Sequence, residues 1–213
     1  MYNINYKYIA IEGCIGAGKT ELAQLLHQDL GGEIVLEHFS ENKFLPLFYQ
    51  SPENYAFHLE LQFLIDRYEQ ILSFQKQIKK GNQFVISDYF FDKSFIFSDN
   101  NLKDDELELY HRLFHFLHNT LQKPDLVVYL YKSAEHLLRN IRKRGRPYEQ
   151  SIQQHYLEEI QTKYLDYFNE TAMHPILIIN TEELDFVENK TDYNYIKSLL
   201  SNEYGKEKHL LNF

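Results

Sequence analysis

The stretch that most narrows what this chain can fold into is Gly13-Cys14-Ile15-Gly16-Ala17-Gly18-Lys19-Thr20. Its spacing is that of a phosphate-binding loop: a glycine, four residues, then Gly-Lys-Ser/Thr. Glycines let the backbone N–H groups turn inward around phosphate oxygens, and the helix that follows points its positive end at them. The flanks agree. Residues 6–11 alternate apolar side chains as a strand does, and Leu22, Leu25, Leu26 and Leu30 share one helical face before Gly31-Gly32. Gly13, Gly16, Ala17 and Gly18 are therefore expected to cradle the phosphates of a nucleoside triphosphate. Lys19 is expected to reach its outer phosphates, and the Thr20 hydroxyl to bind Mg²⁺. Cys14 is read as a small loop filler.

Four more β-rich runs follow: Glu33-Ile34-Val35-Leu36-Glu37, Phe84-Val85-Ile86-Ser87-Asp88, Leu126-Val127-Val128-Tyr129-Leu130 and Pro175-Ile176-Leu177-Ile178-Ile179-Asn180. Between and after them, amphipathic periodicity predicts helices over residues 53–80, 104–122, 133–143, 150–172 and 191–202. Lys79-Lys80-Gly81 is the expected stop of the first of these. Five strands alternating with helices predict an α/β fold, a five-stranded parallel sheet with helices on both faces. Ligands of such sheets lie beyond the carboxyl ends of the strands. No repeat or linker divides the 213 residues, so one domain is expected, with a polar tail over about 203–213.

Composition trims the functions. Hydrophobic residues are 44% of the chain, enough to fill a core, yet no run approaches a membrane span. The first residues lack a signal-peptide layout, and one cysteine allows neither an internal disulfide nor a multi-cysteine zinc site. A cytoplasmic protein is expected, with no membrane partner. The net charge of −9 argues against a nucleic-acid partner. Asn189-Lys190-Thr191-Asp192 matches a guanine-reading pattern but stands well past the last strand, so it is read as a polar helix entrance.

Beyond the loop, the chain resembles the deoxynucleoside kinases over nearly all of residues 6–200. The resemblance rests on residues 13–20, on Glu37 closing the second strand, and on Pro46-Leu47-Phe48-Tyr49 with Pro52-Glu53-Asn54-Tyr55-Ala56-Phe57. It continues in Arg144-Gly145-Arg146-Pro147-Tyr148-Glu149-Gln150, Tyr156-Leu157, Tyr164 and Leu184-Asp185-Phe186. It is closest to the bacterial deoxyadenosine and deoxyguanosine kinases. It implies a P-loop kinase fold with a small arginine-rich lid over about 142–149. The implied reaction moves the γ-phosphoryl of ATP to the 5′-hydroxyl of a deoxynucleoside, in nucleotide salvage and with Mg²⁺. A purine is expected as substrate, deoxyadenosine first and deoxyguanosine next.

The resemblance also implies roles. Glu37 would be the base beside the 5′-hydroxyl. Lys19, Arg144 and Arg146 would neutralise the transferring phosphoryl. Tyr49 and Glu149 would hold the sugar 3′-hydroxyl, Asp88 would contact Mg²⁺ with Thr20, and Asp185 and Phe186 would border the adenine of ATP. Helices in the stretch that carries His111, His115 and His118 pair subunits in the family, so a homodimer is implied. The three histidines are read as a packed or subunit-facing stripe.

Three departures stand out. Glu60 occupies the position where the family reads the nucleobase with glutamine. Tyr89 stands where an arginine follows the third strand's acid, and Asn140 where the lid's first arginine is usual. Lys93, Arg139 and Arg142 are the candidate replacements, with Lys93 assigned to catalysis. Two alternatives remain at this stage. One is a thymidylate-like monophosphate kinase, for which the acceptor-side helix offers only Arg67. The other is a nucleotide-binding regulator without turnover.

Overall fold

The strand that leads into the glycine loop, β1 (Tyr8–Glu12), is buried along its whole length. It can be so because it has a neighbour on each side, pairing in parallel with β3 (Val85–Ser87) and with β4 (Leu126–Tyr131). The computed structural model describes residues 4–39, 42–78, 84–171 and 174–213. The expected helix stop at Lys79-Lys80-Gly81, the first three residues and the end of the expected helix 150–172 lie outside them. Among the described residues there are six strands, all parallel, in the order β2-β3-β1-β4-β5-β6, with β2 (Glu33–Val35) and β5 (Ile176–Asn180) flanking the centre.

The sixth strand, β6 (Lys208–Leu211), corrects the expectation of five and occupies part of the expected polar tail. It lies on the edge beside β5, with Ile176 opposite Lys208 and Ile179 opposite Leu211. Its residues alternate between exposed and half-buried, so it has no continuous apolar run to announce it.

The helices are α1 (Lys19–Leu30), α2 (Leu45–Gln50), α3 (Pro52–Ile78), α4 (Lys93–Asn101), α5 (Asp104–His118), α6 (Ala134–Arg144), α7 (Gln154–Glu170) and α8 (Lys190–Leu199). α2 and α4 lie where no helix is drawn from periodicity. α4 is rich in Ser and Asn, poor formers in isolation, and holds its shape by packing on α3 and α7. α5 stops at His118, short of the expected residue 122. Within the described residues, no helix is long and apolar enough to cross a membrane.

The chain leaves β1 towards β2 on one side of the sheet, and leaves β3 for β4 on the other. The carboxyl ends of β1 and β3 thus border the crevice where such sheets take ligands. Buried Glu12, the last residue of β1, braces this end. One of its carboxylate oxygens accepts from the Tyr164 hydroxyl (2.8 Å) and the Gly13 N–H (3.1 Å), the other from the Phe90 N–H (3.1 Å).

Candidate active site

Three strand ends deliver three functional groups to one point. The phosphate loop follows β1, Glu37 stands two residues past β2, and Asp88 one residue past β3. Asp88 ties them together: Oδ1 accepts the Glu37 N–H at 2.7 Å and Oδ2 accepts the Thr20 hydroxyl at 2.6 Å. Burial, then the nearby Glu37 carboxylate, raise the pKa of Asp88. A hydroxyl and a carboxylate meeting at the mouth of the loop are hard oxygen donors of the kind Mg²⁺ takes.

The loop needs its glycines. Gly16 and Gly18 have φ of 87° and 93°, which an L side chain rarely adopts. A Cβ on Gly16 would lie 2.8 Å from the Leu137 carbonyl oxygen, and one on Gly18 would lie 2.8 Å from the Phe186 ring. Lys19 lies back along the loop, its Nζ donating to the Cys14 carbonyl (3.1 Å). Burial, and next Lys93, lower the Lys19 pKa. The Cys14 thiol is buried against the Tyr129 hydroxyl and pushed up to about 11, mainly by burial. It is a loop filler, as expected.

Glu37 is gripped by two cations. Lys93 Nζ lies 2.6 Å from Oε2, while Arg67 contacts Oε1 through Nε (2.8 Å) and Nη2 (2.7 Å). Burial alone would raise the Glu37 pKa, but Lys93 and Arg67 outweigh it and hold the carboxyl at about 2. Of the three candidate replacements for the missing arginine, Lys93 is at the site. Arg139 pairs with Glu135 on an exposed face, and Arg142 is exposed. The second cation, Arg67, is one that local spacing did not assign. It is 2% exposed, its remaining Nη1 donates to the Ser94 hydroxyl (2.8 Å), and its guanidinium lies 4.8 Å from the Phe63 ring centre.

Asn140 does not replace an arginine's charge. Its amide donates to the Gly16 carbonyl (2.8 Å), fastening α6 to the phosphate loop. Arg144 ends α6 and Arg146 stands two residues beyond it, and both reach the buried Glu149, at 2.6 and 3.2 Å. Arg146 also lies over the Phe39 ring at 3.9 Å. Tyr49 from α2 stacks near Tyr148 and borders the same cleft as Glu149.

That cleft runs from Lys19, Thr20, Glu37 and Asp88 inward to Glu60, between the rings of Phe48, Phe63, Phe97 and Tyr156. Glu60, on α3, is 1% exposed. Its Oε1 accepts the Asn101 amide at 2.7 Å, and its Oε2 has no hydrogen-bond partner. Burial pushes the Glu60 pKa up to about 7 against the opposing effect of Arg67. A second cleft lies on the other side of the loop, lined by Gly16, Ala17, Gly18, Asn140, Asp185 and Phe186 among others. Gly16 and Arg144 border both clefts, so the two lie side by side at the loop.

The histidines of α5 do not come to this point. His111 stacks on Phe95 at 4.3 Å and pairs with Asp99, buried His118 lies 2.8 Å from Asp92, and His115 is exposed. Asn189 caps α8 by accepting the Thr191 N–H, so Asn189-Lys190-Thr191-Asp192 is a helix entrance.

A two-cleft site around a phosphate loop, with an acid at the acceptor side, fits many phosphotransferases. The comparison with known proteins narrows it. The model of the deoxynucleoside kinase family matches residues 9–204. The chain belongs to that family. It is 37% identical to the deoxyguanosine kinase of Bacillus subtilis over 193 residues, which is 89% of this chain and 93% of that one. It is 32% identical to the deoxyadenosine kinase of Dictyostelium discoideum over 180 residues, 83% of this chain and 73% of that one. Among solved structures, deoxyadenosine kinase from M. mycoides with bound dATP superposes with a TM-score of 0.77 at 26% identity. The match covers 91% of this chain and 98% of that one. The chain is thus a deoxynucleoside kinase, an ATP-dependent phosphotransferase. The regulator alternative rested on a missing arginine, and in this kinase Arg67 and Lys93 stand beside the acid instead. The monophosphate-kinase alternative looked to Arg67 for the acceptor's phosphate; here Arg67 pairs with Glu37, and the family match favours a deoxynucleoside acceptor.

Proposed function

We propose that this kinase transfers the γ-phosphoryl of ATP to the 5′-hydroxyl of a purine 2′-deoxynucleoside, deoxyguanosine ahead of deoxyadenosine. One observation carries the reading: a single cleft is lined by the cation-gripped Glu37 at its phosphate-loop end and by Glu60, whose buried Oε2 has no hydrogen-bond partner, at its inner end. An ionised carboxylate only accepts hydrogen bonds. It suits guanine, whose N1–H and N2–H₂ both donate, and it opposes the O4 acceptor of thymine. That reverses the order of purines implied by the resemblance, and the 37% identity to a deoxyguanosine kinase supports the change. The reaction would serve salvage, since it starts from a preformed deoxynucleoside, and residues 1–213 would act as one kinase domain.

The roles assigned here are those the resemblance implies. ATP would lie with its polyphosphate on Gly13, Gly16, Ala17, Gly18 and Lys19 and its adenine near Asp185 and Phe186. Thr20 and Asp88 would hold Mg²⁺, which would neutralise charge on the outer phosphates. Tyr49 and Glu149 would hold the sugar. Arg144 and Arg146, now on Glu149, would turn to the phosphoryl group as residues 142–149 close over it. Glu37 would orient the 5′-hydroxyl and take its proton late. A carboxyl held at about 2 is a weak base, but a loose transition state asks little of the base before the phosphoryl has moved.

The test is turnover with Mg-ATP of the four deoxynucleosides and their monophosphates, with products separated by chromatography. At a pH of ~8, where Glu60 is mostly ionised, deoxyguanosine should be the best acceptor. Thymidine or a monophosphate as best acceptor would overturn the reading. Lys93→Met should lower kcat by at least ~10-fold, or ~1.4 kcal/mol of barrier, with little change in KM for ATP. Wild-type turnover in that variant would remove Lys93 from the phosphoryl clamp.

A homodimer is part of the proposal. α5 presents Leu109, Leu113 and Phe116 at i, i+4 and i+7, with Phe116 76% exposed, and neighbouring α3 exposes Ile65. An apolar stripe of this kind on a charged helix is what a second copy would cover. Phe116→Glu should halve the mass seen by analytical ultracentrifugation; an unchanged dimer would move the interface elsewhere, and a monomeric wild type would end the proposal.

A further inference from the structure

The inner end of the acceptor cleft holds more information than a hydrogen-bond acceptor. Glu60 and Asn101 are fixed as a pair. The Tyr156 hydroxyl donates to Asn101 Oδ1 at 3.3 Å, which turns the Asn101 amide to donate to Glu60 Oε1 at 2.7 Å. An oxygen accepting that N–H is the poorer place for a proton, so a proton on Glu60 belongs on the partnerless Oε2. Ionised, the group offers two acceptors side by side. Neutral, it offers a donor at Oε2 beside an acceptor at Oε1. These two patterns complement different purines. Guanine presents two adjacent donors, N1–H and N2–H₂. Adenine presents an acceptor, N1, beside a donor, N6–H₂.

We propose that Glu60 reads the nucleobase in two protonation states, guanine when ionised and adenine when neutral, so that the purine this kinase prefers changes with pH. The inference rests on the acceptor-side reading above and deepens it. The environment of Glu60 is balanced for such a role. Arg67, two turns along α3, and Lys93, at the start of α4, favour the ionised form. Burial and Glu37 oppose it. Tyr110 from α5 and Tyr156 from α7 also face it, and both hydroxyls stay neutral because burial raises their pKa. The balance leaves the group near pH 7, where either base can decide its state. Asn101 is then a positioning residue, holding Oε1 as the acceptor in both states.

The test uses the ratio of kcat/KM for deoxyguanosine to that for deoxyadenosine, because effects of pH on ATP, the phosphate loop and Glu37 cancel in it. The ratio should rise by at least ~5-fold between about pH 6 and about pH 8.5 in the wild type, within the ~10-fold per unit that one proton permits. In Glu60→Gln, whose amide cannot ionise, it should be flat. Calorimetry in buffers of different ionisation enthalpy gives a second readout without turnover: near pH ~7, deoxyadenosine binding should take up a proton and deoxyguanosine binding should release one. A flat wild-type ratio, or the same slope in Glu60→Gln, overturns the inference. Should Glu60→Gln not fold, the wild-type slope and proton counts decide alone. No turnover of either nucleoside overturns the proposed substrate class as well, whereas turnover of both at a constant ratio overturns only this inference.

Discussion

Glu37→Gln should lower kcat by ~10²-fold or more and leave the KM for the deoxynucleoside within a few-fold of wild type. The amide keeps the size of the side chain and one acceptor for the 5′-hydroxyl. It cannot take the proton, and it removes the anion that Lys93 and Arg67 now grip at 2.6 to 2.8 Å. Two buried cations without their counter-charge would turn to the polyphosphate of ATP, so the KM for ATP should stay level or fall. That split separates a role in the chemical step from a role in folding or binding. Steady-state kinetics with both substrates varied is the measurement, and a near-normal kcat would remove Glu37 from the reaction.

The same grip explains how a strong ion pair can sit in a working site. In the free protein Glu37 satisfies Lys93 and Arg67, as Glu149 satisfies Arg144 and Arg146. On the proposed reading, each carboxylate would keep its cations paired until a phosphoryl group with more charge arrives. The cations would then turn towards it, and Glu37 would lose part of what depresses its pKa and become a better proton acceptor. The cations would already stand at the site, so only side-chain turns would be needed before the transition state forms.

Much of this was legible in the sequence because it is local. The phosphate loop is eight consecutive residues, and Glu37 and Asp88 are marked by the ends of apolar runs. The central strands announce themselves by burial on both faces. β6 does not, because an edge strand with alternating exposure reads as polar tail until its partner β5 is known. Lys93 was reachable from Asp88 by counting along the chain. Arg67 was not, since 30 residues separate it from Glu37 and no spacing rule spans that distance. Yet a signal was present. Glu60, Leu64, Arg67, Ile71 and Phe74 fall on one face of α3, and all are buried. Charges on the core-facing stripe of a helix must find partners. That pattern marks both Glu60 and Arg67, without saying what each meets.

Arg67→Met should therefore cost more than Lys93→Met, lowering kcat by ~10²-fold or more. Methionine fills much of the same volume, and Leu64 and Ile71 already line the helix face around it. What it removes is the planar fork that holds Glu37 Oε1 through two nitrogens and Ser94 through the third. Two losses follow. The phosphoryl group loses a charge in a water-poor cleft, where one well-placed donor is worth ~3–4 kcal/mol of barrier. Glu37 also keeps only Lys93, so it should swing and titrate higher than about 2. The higher basicity does not rescue the rate if the transition state is loose, because positive charge and orientation matter there more than proton affinity. Folding should suffer less than the ~3–5 kcal/mol typical of breaking a buried pair, since Glu37 faces the cleft and retains one cation. Arg67→Lys keeps the charge without the fork and should fall between wild type and Arg67→Met. Kinetics of the three proteins beside their calorimetric melting temperatures decide the matter. A folded Arg67→Met enzyme within ~3-fold of wild-type kcat would show that Arg67 only shapes α3 and that Lys93 carries the clamp alone.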